Sequence, residues 1–70
     1  MTPRELDIRK FRINECADNS RRKIIDILHY MNECIELAEY DLNLQSIAAE
    51  ITIHADSVLD NLEVLYRETK

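Results

Sequence analysis

The sequence predicts an all-α fold, a helical hairpin that assembles with a second copy into a four-helix bundle homodimer, and three observations carry that expectation. Glycine is absent and the only proline is Pro3, so nothing in the interior forces a break or supplies the unstrained left-handed turns of a sheet protein. Apolar residues recur at alternating threes and fours, the spacing that gathers them on one side of a helix. The stripe they make on the first helix is also wider than a single neighbouring helix covers.

The first helix is predicted over residues 3–40. Thr2 caps it, Pro3 occupies the first turn where its missing N–H is harmless, and Glu5 completes a capping box. Its strongest stretch is Ile24, Leu28, Met31, Ile35, Ala38 and Leu42, flanked by Ile27 and Cys34. At about 100° per residue, the apolar positions from Leu28 round to Tyr30 and Leu37 span roughly 160 to 180°. Two covering neighbours are therefore required, a third helix of the same chain or a second copy.

Residues 14–20 are ambiguous, because Asn14, Asp18, Asn19 and Ser20 are weak helix formers without an obligatory break. As a loop, this segment gives a three-helix bundle monomer with Leu6, Ile13 and Cys16 folded back on the hairpin. As helix, it gives a continuous rod. The rod is preferred: Leu6, Ile13 and Ala17 keep angular phase with Ile24 and Leu28, and Glu5 with Arg9 and Asp18 with Arg22 make favourable i,i+4 pairs. A helix starting at Ser20 would also set Arg21, Arg22 and Lys23 against its positive N-terminal dipole. Such a rod overhangs its partner by about a dozen residues, leaving Leu6 and Ile13 to be covered by another chain.

A turn is predicted at residues 40–43, where Asp41 and Asn43 suit local backbone hydrogen bonding or capping. A second helix follows over 44–68, with Leu44, Ile47, Ala48, Ile51, Ala55, Val58, Leu62 and Leu65 on one stripe and Ile53 and Val64 off it. Residues 1–70 thus read as a single helical domain. A core of this size rarely supplies more than about 3 to 5 kcal/mol, which again calls for a partner.

With 46% hydrophobic and 33% charged residues, the chain is built to pack rather than to stay disordered. Apolar runs never exceed three residues, as at Val64, Leu65 and Tyr66, so no membrane association is expected. Residues 1–10 carry mixed charge without the apolar stretch of a secretory signal, and a cytoplasmic location is expected. Cys16 and Cys34 would lie about 27 Å apart on one helix. They are expected as small hydrophobes buried beside the core.

Charge is segregated. Residues 1–23 hold seven basic and four acidic residues, a net of +3, whereas residues 24–70 hold two basic and ten acidic, a net of −8. Arg9, Lys10, Phe11, Arg12, Arg21, Arg22 and Lys23 are the candidate contacts to a partner or nucleic acid. Self-complementarity between two copies is the preferred explanation, because the overall charge of −5 opposes binding to a polyanion.

Three short patterns touch on chemistry. Ala48, Ile51, Ile53, Val58, Leu62 and Leu65 resemble the helix-turn-helix of winged-helix regulators across residues 47–65. Thr52 stands where those families place glycine, and Asp56, Asp60 and Glu63 would repel phosphates. His29 with Glu33 and Glu50 with His54 make two i,i+4 pairs, read as a solvated polar face rather than a metal site. Arg22 and His29 resemble the arginine–histidine spacing of a family of helical ribonucleases, with Lys23 replacing the expected polar residue. No nucleophile has a recognisable base beside it, and no catalytic residue, cofactor or metal is expected.

The leading expectation is a non-enzymatic protein–protein interaction or regulatory module that self-associates. Its interface is assigned to Leu6, Ile13, Ile24, Ile27, Leu28, Met31, Cys34, Ile35, Ala38, Ile51, Val58, Leu62 and Leu65. Glu39, Asp41 and Gln45 near the turn and His54, Ala55 and Asp56 beyond it make the chain resemble the Rop family of hairpin dimers. That resemblance implies RNA binding through Arg9, Phe11 and Arg12, the second expectation. A secretion or assembly chaperone that shields another helix is the third.

Overall fold

The computed structural model describes residues 2–70. Its two α-helices, α1 over Pro3–Ala38 and α2 over Leu42–Glu68, pack antiparallel as a hairpin. The result is a rod of 58 × 14 × 14 Å with a radius of gyration of 16.6 Å, where a compact chain of this length has about 11 Å.

At the start of α1, the Thr2 hydroxyl accepts from the Glu5 N–H at 3.2 Å and the Thr2 N–H donates to the Glu5 carboxylate at 3.4 Å. These bonds satisfy donors that a helix end leaves orphaned. The helix then runs unbroken through residues 14–20, which removes the three-helix alternative. Its weak helix formers have partners. Asn14 Nδ2 donates to the Tyr66 carbonyl at 2.9 Å and to Thr69 Oγ1 at 3.3 Å, and Asp18 pairs with Arg21 at 2.8 Å and Arg22 at 3.1 Å. A tertiary contact at Asn14 and local ion pairs at Asp18 thus offset the low propensity of these two residues.

The turn falls at residues 39–41, slightly earlier than the sequence suggests, because Asp41 rather than Asn43 caps α2. Its carboxylate accepts from the Leu44 N–H at 3.1 Å, and the Gln45 amide donates to the Glu39 carbonyl. Glu39 adopts φ 49°, a left-handed value that costs a side-chain-bearing residue about 1 to 2 kcal/mol. Glu39→Gly is therefore expected to stabilise the fold by about 1 kcal/mol. A thermal melt should show a midpoint about 4 to 8 °C higher.

α2 is equally continuous, so the helix-turn-helix reading of residues 47–65 is overturned. Thr52, at the position where the turn glycine would stand, instead donates its hydroxyl to the Ala48 carbonyl at 3.0 Å within the helix.

Apart from Asp18, Ser20 and Ala49, the side chains that lose solvent fall on two heptad rows of each helix. On α1 these are Asn14, Arg21, Leu28 and Ile35 with Ala17, Ile24, Met31 and Ala38; on α2 they are Gln45, Thr52, Leu59 and Tyr66 with Ala48, Ala55, Leu62 and Thr69. This is the seam of an antiparallel two-stranded coiled coil. Asn14 and Tyr66 are as symmetric about residue 40 as Ala38 and Leu42 are, so the register holds from the turn to the open end. The polar contacts at that end pin it, as a polar seam residue does in coiled coils generally. Among the described residues only Ala17, Ala48 and Ala55 are buried, at 1%, 7% and 7% exposure.

Candidate functional site

A third heptad row runs beside the seam on each helix: Leu6, Ile13, Ser20, Ile27 and Cys34 on α1, and Leu44, Ile51, Val58 and Leu65 on α2. Between antiparallel helices, equivalent heptad positions flank the same side of the seam, so both rows lie on one face of the rod. Two grooves confirm this placement. Toward the turn, Met31, Cys34, Leu37, Ala38, Leu44, Ile47, Ala48 and Ile51 line a groove of about 400 Å³. Toward the open end, Ile13, Cys16, Ala17, Leu62 and Leu65, with Arg12 and Ser20, line another of about 240 Å³.

The large apolar members of these rows are 39% to 52% exposed. The opposite flank of the seam carries Asp18 and Asn32 on α1 and Asp56, Glu63 and Lys70 on α2, with Phe11, Ile25, Leu42 and Ala49 the apolar exceptions. The hairpin thus has one predominantly apolar face and one mixed, more polar face.

The thirteen residues assigned to an interface divide accordingly. Ile24, Leu28, Met31, Ile35, Ala38 and Leu62 are half-buried in the seam, while Leu6, Ile13, Ile27, Cys34, Ile51, Val58 and Leu65 are exposed on the open face. Leu37, Leu44 and Ile47, outside that assignment, are also exposed and line the turn-end groove. Leu44 had a legible signal, its seven-residue spacing to Ile51, Val58 and Leu65. The cysteines are corrected: both are free and exposed, because the seam rows fill the helix contact and Cys16 and Cys34 stand outside it.

Folding back carries the charge segregation into the rod. It returns Arg67 and Lys70, with Asp60, Glu63 and Glu68, to the end that holds the first 23 residues, so all nine basic residues lie in the open-end half beside seven acidic ones, a net of +2. The turn half, residues 24–57, has seven acidic residues and no Lys or Arg. Arg21 and Lys70 stack on the Tyr66 ring, their charged groups 4.5 and 5.2 Å from its centroid, a contact of order 0.5 to 1 kcal/mol each at exposed sites. Arg9, Lys10, Phe11, Arg12, Arg22 and Lys23 are exposed.

Thr69 and Lys70 reach Lys10 and Phe11, so residues 3–9 of α1 project past the second helix, about 10 Å of unaccompanied helix at 1.5 Å per residue. Leu6 and Ile8 on this arm and Phe11 at its base are 47%, 49% and 62% exposed.

His54 Nε2 lies 3.9 Å from Glu50 Oε1 on the open surface. Among the described residues no group of three or more His, Cys, Asp or Glu converges to hold a metal ion. Likewise, no helix there is long and apolar enough to cross a membrane. Comparison with family models, with curated proteins and with solved structures finds no match to this chain.

Proposed function

We propose that this chain is a non-enzymatic interaction module that self-associates, two hairpins pairing through their apolar faces as a four-helix bundle that then engages another protein. One observation carries the reading: among the described residues nothing larger than alanine is buried, while heptad rows of Leu, Ile and Val remain open on a single face. A seam with no fully buried large side chain supplies little of the stability a seventy-residue domain needs.

Surface area gives the scale of the missing contact. The hairpin exposes 5784 Å², against about 4600 Å² for a compact monomer of its mass. Covering that excess of about 1200 Å² on each of two copies would bury roughly 2400 Å², within the range of obligate homodimers. A single self-complementary face also suits a two-fold pair, in which the same patch is used twice and the assembly closes.

Sedimentation equilibrium at micromolar concentration is expected to give a mass near twice 8.3 kDa, with a thermal midpoint that rises with concentration. A well-folded monomer with a concentration-independent midpoint would remove the reading. The basic open end favours nucleic acid as a second ligand class. In that case the same sample would retain RNA or DNA with an affinity falling steeply as salt is raised.

A further inference from the structure

The two ends of the rod are complementary in shape and in charge. At the turn end lies the 400 Å³ apolar groove, and Glu36, Glu39, Asp41 and Glu50 stand in the segments that form it. At the open end projects the arm, with Leu6 and Ile8 exposed among Arg4, Arg9, Lys10 and Arg12 and two carboxylates, Glu5 and Asp7, a net of +2. Within one molecule these features are at opposite ends of a 58 Å rod and never meet.

We infer that the two copies pair with their turns at opposite ends, so that the basic arm of each docks over the acidic, groove-bearing turn of the other. This rests on the self-association reading above and specifies its geometry. A two-fold axis crossing the rod near its middle, perpendicular to the helices, exchanges the ends and sets each α1 row against its own copy. Leu6 of one copy then approaches the groove lined by Cys34, Leu37 and Leu44 of the other. The same operation sets Arg4 at the level of Glu36 and brings Arg9 and Lys10 within a turn of Glu33.

The competing arrangement, a two-fold axis along the rod, covers the same apolar face. But it sets the acidic turns, −7 each, beside each other at one end and the open ends, nine basic against seven acidic residues and so +2 each, beside each other at the opposite end. The hydrophobic term is blind to direction, so charge decides. Like charges brought together disfavour a wrong partner geometry, and opposite charges fix the register. The arm is also accounted for only in the crossed arrangement: beside a partner's arm it gains no groove to fill.

Carbodiimide cross-linking of the unmodified protein, read by peptide mass spectrometry, tests this directly, because it joins an amine to a carboxylate only in contact. Within one chain Lys10 and Glu33 lie about 35 Å apart along the axis and Lys70 and Glu50 about 30 Å, so any such link is between copies. Links from Lys10 to Glu33 and from Lys70 to Glu50 are expected in the covalent dimer, fading as salt screens the pair. A covalent dimer linked instead from Lys10 or Lys70 to Asp7 or Glu68 of isotopically distinguished copies would overturn the orientation while leaving self-association intact. A monomeric mass would sink the pairing itself.

A second readout does not depend on reactivity. With Tyr40→Cys spin-labelled in a Cys16→Ala, Cys34→Ala background, the two turns should be about 40 to 60 Å apart at 1.5 Å per residue. Adjacent turns would instead give about 10 to 20 Å, set by the 8 to 10 Å spacing of packed helices plus the label arms, and would overturn the proposal.

Discussion

Ile51→Asp is expected to raise the dimer dissociation constant at least about a thousand-fold and to unfold the chain at concentrations where the parent is folded. Ile51 sits in the third heptad row and lines the turn-end groove, so pairing would bury one unpartnered carboxylate from each copy. Removing such an ion from water costs several kcal/mol even after relaxation, and each 1.4 kcal/mol is a factor of ten in affinity. In a lone hairpin the same position is 43% exposed and an aspartate there would remain solvated. Ile53→Asp is the matched control: it lies two residues on, is 67% exposed, and should change stability by no more than about 0.5 kcal/mol. Sedimentation and urea unfolding of the two variants side by side give the answer. Equal, small effects at both positions would mean that the open face covers nothing.

Ala55→Leu and Ala17→Leu are each expected to destabilise the fold by about 1 to 3 kcal/mol, the usual cost of forcing extra methylenes into a filled contact. Ala17 is 1% exposed and Ala55 is 7% exposed, both within the seam. With Ala48, they let the helices approach closely enough that Leu28, Met31 and Ile35 remain half-buried beside small partners. Pushing the helices apart would also strain the Asn14 bonds to Tyr66 and Thr69 that hold the open end. The readout is a lower denaturant midpoint, with Ser57→Leu, on the exposed side of α2, as a substitution of similar size that should cost no more than about 0.5 kcal/mol. Stability unchanged in both seam variants would show that the two helices are not held by this seam.

Much of the hairpin was legible before folding. The Thr2, Pro3 and Glu5 start is a local signal, because a capping box involves only residues three apart. The continuous rod was legible through phase, since Leu6, Ile13 and Ala17 stay aligned with Ile24 and Leu28. The turn was legible to within a residue or two. Its end points were not, because Asp41 and Asn43 are both competent caps and only the helix pairing selects Asp41. The helix-turn-helix reading failed for a related reason: Ile53 off the main stripe suggested a break, whereas a lone exposed isoleucine on a helix is unremarkable physically. The cysteines were misplaced because burial was assigned from residue type, and type does not say on which side of a seam a position falls.

What the amino-acid order settled unaided was the helical state of both segments, their reversal near residue 40, and the surplus of apolar circumference. All three depend on neighbours within a few positions of each other. What only tertiary pairing decided was which apolar rows close against each other and which stay open. Three adjacent rows on each helix are greasy enough to enter a seam, and sequence periodicity ranks none above another. The choice is made across the contact, where Ala48, Thr52 and Ala55 admit the α1 side chains and Asn14 locks the register from the far end. The same reversal gathered Arg67 and Lys70 with the N-terminal bases, turning a gradient along the chain into a dipole along the rod.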